Sequence, residues 1–180
     1  FLTNKDGATN FKLMKTSVHQ TSVAHWEDVI PHRKETLLED FSIFSDYLVL
    51  EERTNGLHKI RIKRWDDTKD YYLPFKEETY AVGVYGNPEF DTDIIRYSYN
   101  SFTSPSAVID FNMATKAKEI KKQQEVLGGK FKQENYKSKR VWATVRDGKK
   151  VAISLVYHKD TPLNENTPLL QYAYGSYGHT

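Results

Sequence analysis

The sequence predicts a mainly β protein in which antiparallel hairpin units repeat as the blades of a β-propeller. Three observations carry this reading. Twelve Tyr, nine Phe and three Trp occur among many Val, Ile and Thr, the residue types enriched on pleated surfaces. Apolar and polar residues alternate through most of the apolar segments, the period of a half-buried strand. Three turn signals, Asp6-Gly7, Asn55-Gly56 and Ser104-Pro105, place positions 7, 56 and 105 at equal intervals of 49 residues. That interval is close to the roughly 40–50-residue period of propeller blades. A sandwich with evenly spaced hairpins also fits the composition; the double coincidence of spacing favours blades.

Each unit can be followed along the chain. In the first, "FLT" runs into Asp6-Gly7 and "FKLMKTSV" (11–18) follows as an alternating strand. In the second, "YLVLEER" (47–53) meets Asn55-Gly56, a dipeptide that accepts the left-handed backbone of a tight hairpin, and "HKIRIKRW" (58–65) returns. A further strand–turn–strand is read in "RWDDTKDYYLPF" (64–75). Trp65-Asp66 resembles the dipeptide that ends some blade strands, but no Gly-His partner precedes it, so it reads as a strand ending in a polar turn. In the third unit "IIRYSYN" (94–100) reaches Ser104-Pro105, and "AVIDFNMA" (107–114) and "FNMATKAKEI" (111–120) continue as strand–turn–strand. About three blades are therefore expected. Such units cannot bury their apolar faces alone and must stack on neighbours.

Beyond Lys116 the texture changes. Residues 116–140 hold nine Lys or Arg against three Glu, with Gly128-Gly129 between them. Aromatic residues are sparse there and the basic residues do not share one helical face, so a solvated linker is the stronger reading and no nucleic acid partner is expected. A domain boundary is placed within 122–135. After it, "RVWATVRDGKKVAISLVYHK" (140–159) reads as a hairpin about Asp147-Gly148. "TPLLQYAYG" (167–175) reads as a more continuously apolar strand, of the kind buried on both faces.

The formal charge is only +2, too weak a field to steer nucleic acid. Cysteine is absent, which excludes a disulfide framework and fits a reducing cytoplasm. No apolar run reaches membrane-spanning length, and no membrane partner is expected. Residues 1–10 lack the charged start and apolar core of a signal peptide. The chain lacks an initiating Met and opens within a strand, and so reads as a piece of a larger protein.

Catalytic chemistry is incomplete in these residues. The six histidines show no metal-ligand spacing and read as lone surface groups; no metal or other cofactor is expected. The acidic pairs Glu51-Glu52, Asp66-Asp67 and Glu77-Glu78 read as solvated rims beside turns. No Walker loop or dinucleotide fingerprint occurs. Ser176 in "YGSYG" has Gly178 two places on, but Tyr174 stands where a nucleophile elbow needs its first Gly, so Ser176 is a poor nucleophile.

"NPEFDTDIIRYSYNSFTSPSAVIDFNM" (87–113), "KQQEVLGG" (122–129), "RVWATVRDGKKVAISLVYHK" (140–159) and "PLLQYAYGSYG" (168–178) closely resemble the prolyl oligopeptidase family of serine peptidases, in its oligopeptidase B (protease II) branch. "DGATNFKLMK" (6–15) and "VIPHRKETLLEDFSIFSDYLVLEERTNGL" (29–57) agree, so the resemblance covers essentially the whole chain. It implies a seven-bladed β-propeller joined to an α/β-hydrolase domain, with the active site between them and oligopeptides cut after Arg or Lys. Residues 1–125 would be the last propeller blades and 126–180 the first strands of a truncated hydrolase domain. The family's Ser-Asp-His triad would lie beyond this chain, which by itself is then expected to be inactive. The resemblance also implies that the Tyr174 hydroxyl donates to the oxyanion and that Tyr177 borders the specificity pocket. Against that stands simple packing of Tyr172, Tyr174 and Tyr177 about a turn, with Gly175 and Gly178 in unusual backbone conformations. Ala173 occupies a place often Gly in the family. A second reading from another class is a non-catalytic propeller module that binds peptides or proteins. In either case, exposed strand edges are expected to let an isolated piece self-associate.

Overall fold

The computed structural model describes residues 1–67 and 69–176. Their strands form three antiparallel sheets and a separate hairpin, joined by turns and short 3-10 segments. The first sheet holds β1 (Leu2–Thr3), β2 (Lys12–Lys15) and β3 (Glu27–Ile30). The second is a meander of β4 (Leu37–Ile43), β5 (Tyr47–Thr54), β6 (Leu57–Arg64) and β7 (Asp70–Tyr72). The third repeats that order with β8 (Ala81–Val84), β9 (Ile94–Asn100), β10 (Ala107–Asn112) and β11 (Lys118–Gln123). The hairpin pairs β12 (Tyr136–Thr144) with β13 (Lys150–His158) in unbroken register. No helix among the described residues is long and apolar enough to cross a membrane.

The equal spacing of turns is an equality of place, not of geometry. Asn55-Gly56 joins the second and third strands of the second sheet, and Ser104-Pro105 does the same in the third. Asp6-Gly7 joins β1 to β2, so the three strands of the first sheet align with the second to fourth of the others. Asn55 and Gly56 have φ of 53° and 70°, and Thr54 pairs with Leu57 across them. Two consecutive left-handed residues in a two-residue loop match the twist of the flanking strands, which is why Asn-Gly is favoured there. The β9–β10 loop is longer and closes instead through the Ser101 amide, which donates to the Ser104 carbonyl at 3.1 Å.

Burial explains the long apolar run of β5. Leu48 and Leu50 pack with Leu13, Ile30 and Leu38 between the first and second sheets. Tyr47 and Val49 face the other way, with Ile60, Ile62, Val82, Ile95, Tyr97 and Phe111, between the second and third. The second sheet is thus covered on both faces, which removes the polar half of the usual alternation. Burying each such side chain contributes about 1.5–3 kcal/mol, so these two apolar seams hold the array together. Burial pushes the Tyr71 and Tyr97 phenols up to about 12.

The expected strand at 167–175 is not formed. Residues 161–175 contain no strand, and Leu169, Leu170 and Tyr172 are 78%, 93% and 87% exposed. An apolar strand needs a neighbouring strand to satisfy its backbone and a sheet to cover it, and among the described residues no strand lies beside this segment. Nor is Gly175 left-handed, and Gly178 lies outside the described residues; among those described, the left-handed glycines are Gly7, Gly56, Gly128, Gly129 and Gly148. The basic 116–140 stretch begins as β11, the outer strand of the third sheet, is irregular over residues 124–132, and ends in a 3-10 turn and the start of β12.

Candidate functional site

Of the acidic pairs expected on solvated rims, Glu51 and Glu52 are instead built into the two faces of the second sheet, and Glu77 ties its connection to the β9–β10 side of the third. Neighbouring strand residues point to opposite faces, so Glu51 and Glu52 reach opposite partners. The Glu52 side chain is fully buried. Its Oε1 is held by the Arg33 guanidinium from beyond β3 and, at 3.3 Å, by Arg61 Nη1 of β6. Its Oε2 accepts the Tyr72 hydroxyl at 2.7 Å, and Arg61 also pairs with Asp70. Glu51 faces the third sheet and accepts the Val84 amide at 3.0 Å. Burial, aided by Asp40 and Glu39, pushes the Glu51 carboxyl up despite that amide.

Glu77 lies on the segment that leads from β7 to β8. Its carboxylate accepts the hydroxyls of Tyr99 at 2.5 Å, Ser101 at 2.6 Å and Ser104 at 2.9 Å, and that of Thr103 as well. Burial would push this carboxyl up; the hydroxyls together outweigh it and hold Glu77 below its ordinary 4.5. A depressed folded pKa means stability that is complete above the ordinary value and lost as pH falls through the folded one. Glu77→Gln therefore differs most from the parent at neutral pH, and the gap closes below about pH 4.5 in urea unfolding followed across pH. A gap independent of pH would assign the loss to packing.

Glu78, one residue on, accepts the Arg140 amide of β12 at 2.9 Å. The Arg140 guanidinium donates through Nη2 to the Asn55 carbonyl and stacks over Trp142, 5.5 Å from the ring centre. Burial disfavours its charge, with Tyr80 opposing. Gln133 Nε2 donates to Ser104 Oγ at 2.9 Å. The β5–β6 turn, the β9–β10 loop and the 73–80 connection thus form one face, and the segment after residue 124 touches the blades there.

The histidines are less solitary than their spacing implies. His58 Nδ1 lies 3.2 Å from Glu39, which also pairs with Arg53 at 2.5 Å, and burial lowers the His58 pKa against the pull of Glu39. His158 lies 3.6 Å from Asp160. Ser22 Oγ meets His25 Nδ1 at 2.9 Å in an exposed 3-10 turn, but among the described residues no carboxylate orients that ring, so the pair is not a nucleophile with its base. Tyr174 is 57% exposed on the irregular segment after β13, and Tyr177 lies outside the described residues. The sequence pattern marked Glu52 and Glu77 only as members of solvated acidic pairs and did not single out Arg140. For Glu51 and Glu52 the usable signal was an acidic pair directly following the continuous apolar run Tyr47–Leu50.

The sequence profile of the prolyl oligopeptidase N-terminal β-propeller domain matches residues 1–124. Dipeptidyl aminopeptidase BI of Pseudoxanthomonas mexicana is 42% identical over 177 residues, covering 98% of this chain and 24% of that protein. Protease 2 of Moraxella lacunata is 30% identical over 177 residues, covering 98% of this chain and 25% of its own length. The structure of oligopeptidase B from Leishmania major superposes with a TM-score of 0.79 at 30% identity, over 89% of this chain and 23% of that one. The chain therefore spans about a quarter of the length of the curated relatives it matches.

Proposed function

Because the chain belongs to the prolyl oligopeptidase family, we propose that it is part of a longer serine peptidase that hydrolyses oligopeptides. Residues 1–125 supply propeller blades and residues 126–180 open an α/β-hydrolase domain. The observation that carries this reading is the reach of the alignment: the propeller match ends at residue 124, yet named peptidases align over 98% of the chain. The triad is supplied from outside the 180 residues, and the chain alone turns over no peptide. Within the longer protein the Tyr174 hydroxyl donates to the oxyanion, Tyr177 borders the pocket for the residue before the cut, and that residue is Arg or Lys. The absence of cysteine fits a cytoplasmic enzyme.

A second specificity has an observation in its favour. The relative that is 42% identical is named a dipeptidyl aminopeptidase, which points to release of dipeptides from free N-termini. The full-length gene product separates the two when assayed with an amino-blocked Arg or Lys peptide and with a free-amine dipeptide substrate. A serine-directed fluorophosphonate should label it in either case. An unlabelled full-length protein that still binds peptides would replace this reading with a binding module. Turnover by the purified 180-residue chain would overturn the external triad.

A further inference from the structure

We propose that Lys118 is an acylation site, whose amine takes an acyl group from an anionic donor of the acyl phosphate class. Lys118 opens β11, the outer strand of the third sheet, and leans across the seam towards the segment that leaves the second. Its Nζ donates to the Pro74 carbonyl at 3.2 Å and lies 5.8 Å from the centre of the Phe75 ring. Lys116, two residues earlier, sits 4.6 Å from the centre of the Tyr71 ring in the same seam. Lys76 follows Phe75 and adds a third amine to this rim.

What sets this amine apart is its company. Lys5, Lys12, Lys15, Lys121 and Lys149 each meet a carboxylate. Among the described residues none pairs with Lys76, Lys116 or Lys118. Glu77, the acid next to Lys76 in sequence, is occupied by four hydroxyls. No anion therefore holds the proton on Lys118, while partial burial and the Lys76 cation both favour its neutral form. A partly desolvated lysine beside another cation is an activated nucleophile. The Pro74 carbonyl takes one N–H and fixes the amine, so the lone pair of the neutral form turns away from that oxygen. The neighbouring cations attract the donor's phosphate and offset the charge on the phosphate that leaves. In the reaction the neutral Nζ attacks the acyl carbon and a C–N bond forms. The C–O bond to phosphate breaks with its electron pair, and the proton released from nitrogen passes to water.

The test needs no peptidase activity. The full-length gene product is incubated with acetyl phosphate, and acetylation is followed lysine by lysine through mass spectrometry of its peptides. Lys118 is modified about ten-fold faster than the exposed Lys34 and Lys150. Lys76→Met, which keeps an aliphatic stem and loses the neighbouring cation, lowers that preference about three-fold. Lys34 and Lys150 keep their rates in the variant, which shows that the fold is intact. The uncharged N-hydroxysuccinimide ester of acetate gives a smaller preference, because it lacks the phosphate that the lysines attract. Modification of Lys118 no faster than that of Lys34 and Lys150 overturns the site. So does a preference that is unchanged in Lys76→Met, or one equally large with the uncharged ester.

Discussion

Glu52→Ala lowers the stability of the chain by about 3–5 kcal/mol, the cost of leaving a buried ionic network without its partner. The carboxylate is fully buried and neutralises two guanidiniums, Arg33 from beyond the first sheet and Arg61 within the second. Removing it strands both charges, although Asp70 still compensates Arg61 in part. Exposed pairs offer the contrast. Glu119 meets Lys121 at 2.8 Å on the surface of β11, and Glu119→Ala costs less than about 0.5 kcal/mol. Urea midpoints of the two variants, measured side by side, decide the matter. Equal small shifts would mean that the first two sheets are held by their apolar seam alone.

Tyr174→Phe, made in the full-length protein, lowers kcat about 10²–10³-fold and leaves KM nearly unchanged, as expected for a donor that acts only on the developing oxyanion. A raised KM at constant kcat would reduce Tyr174 to a packing residue. The described chain shows why the effect must be sought there. Its Tyr174 is more than half exposed, on a segment without regular structure. An oxyanion donor contributes through preorganisation at the reacting centre, and the rest of that centre is supplied by the longer protein.

The elements most legible from sequence were those whose cause is local. Asn55-Gly56 announces its turn because two adjacent left-handed residues exclude most other side chains there. The alternation of "HKIRIKRW" announces β6, since Ile60 and Ile62 are buried while their neighbours are not. Partners distant in sequence leave no such trace. Glu77 is held by residues 22 to 27 positions away, and Arg140 by Glu78 and Asn55, 62 and 85 away. The apolar run at 168–172 shows the converse: its composition is that of a buried strand, but the partner that would make it one is not among the described residues. Of the proposed site, sequence alone yields the identity of Tyr174 and not its surroundings.

The opposed carboxylates of β5 bear on the order in which the protein is made. Glu52 is neutralised by Arg33, already synthesised when β5 appears, whereas the Val84 amide that caps Glu51 is translated some thirty residues later. The first seam can therefore close while the ribosome is still at work, and the second must wait for β8 and β9. During synthesis Glu51 stays hydrated until its successor arrives. One dipeptide thus records both the past and the future of the nascent chain.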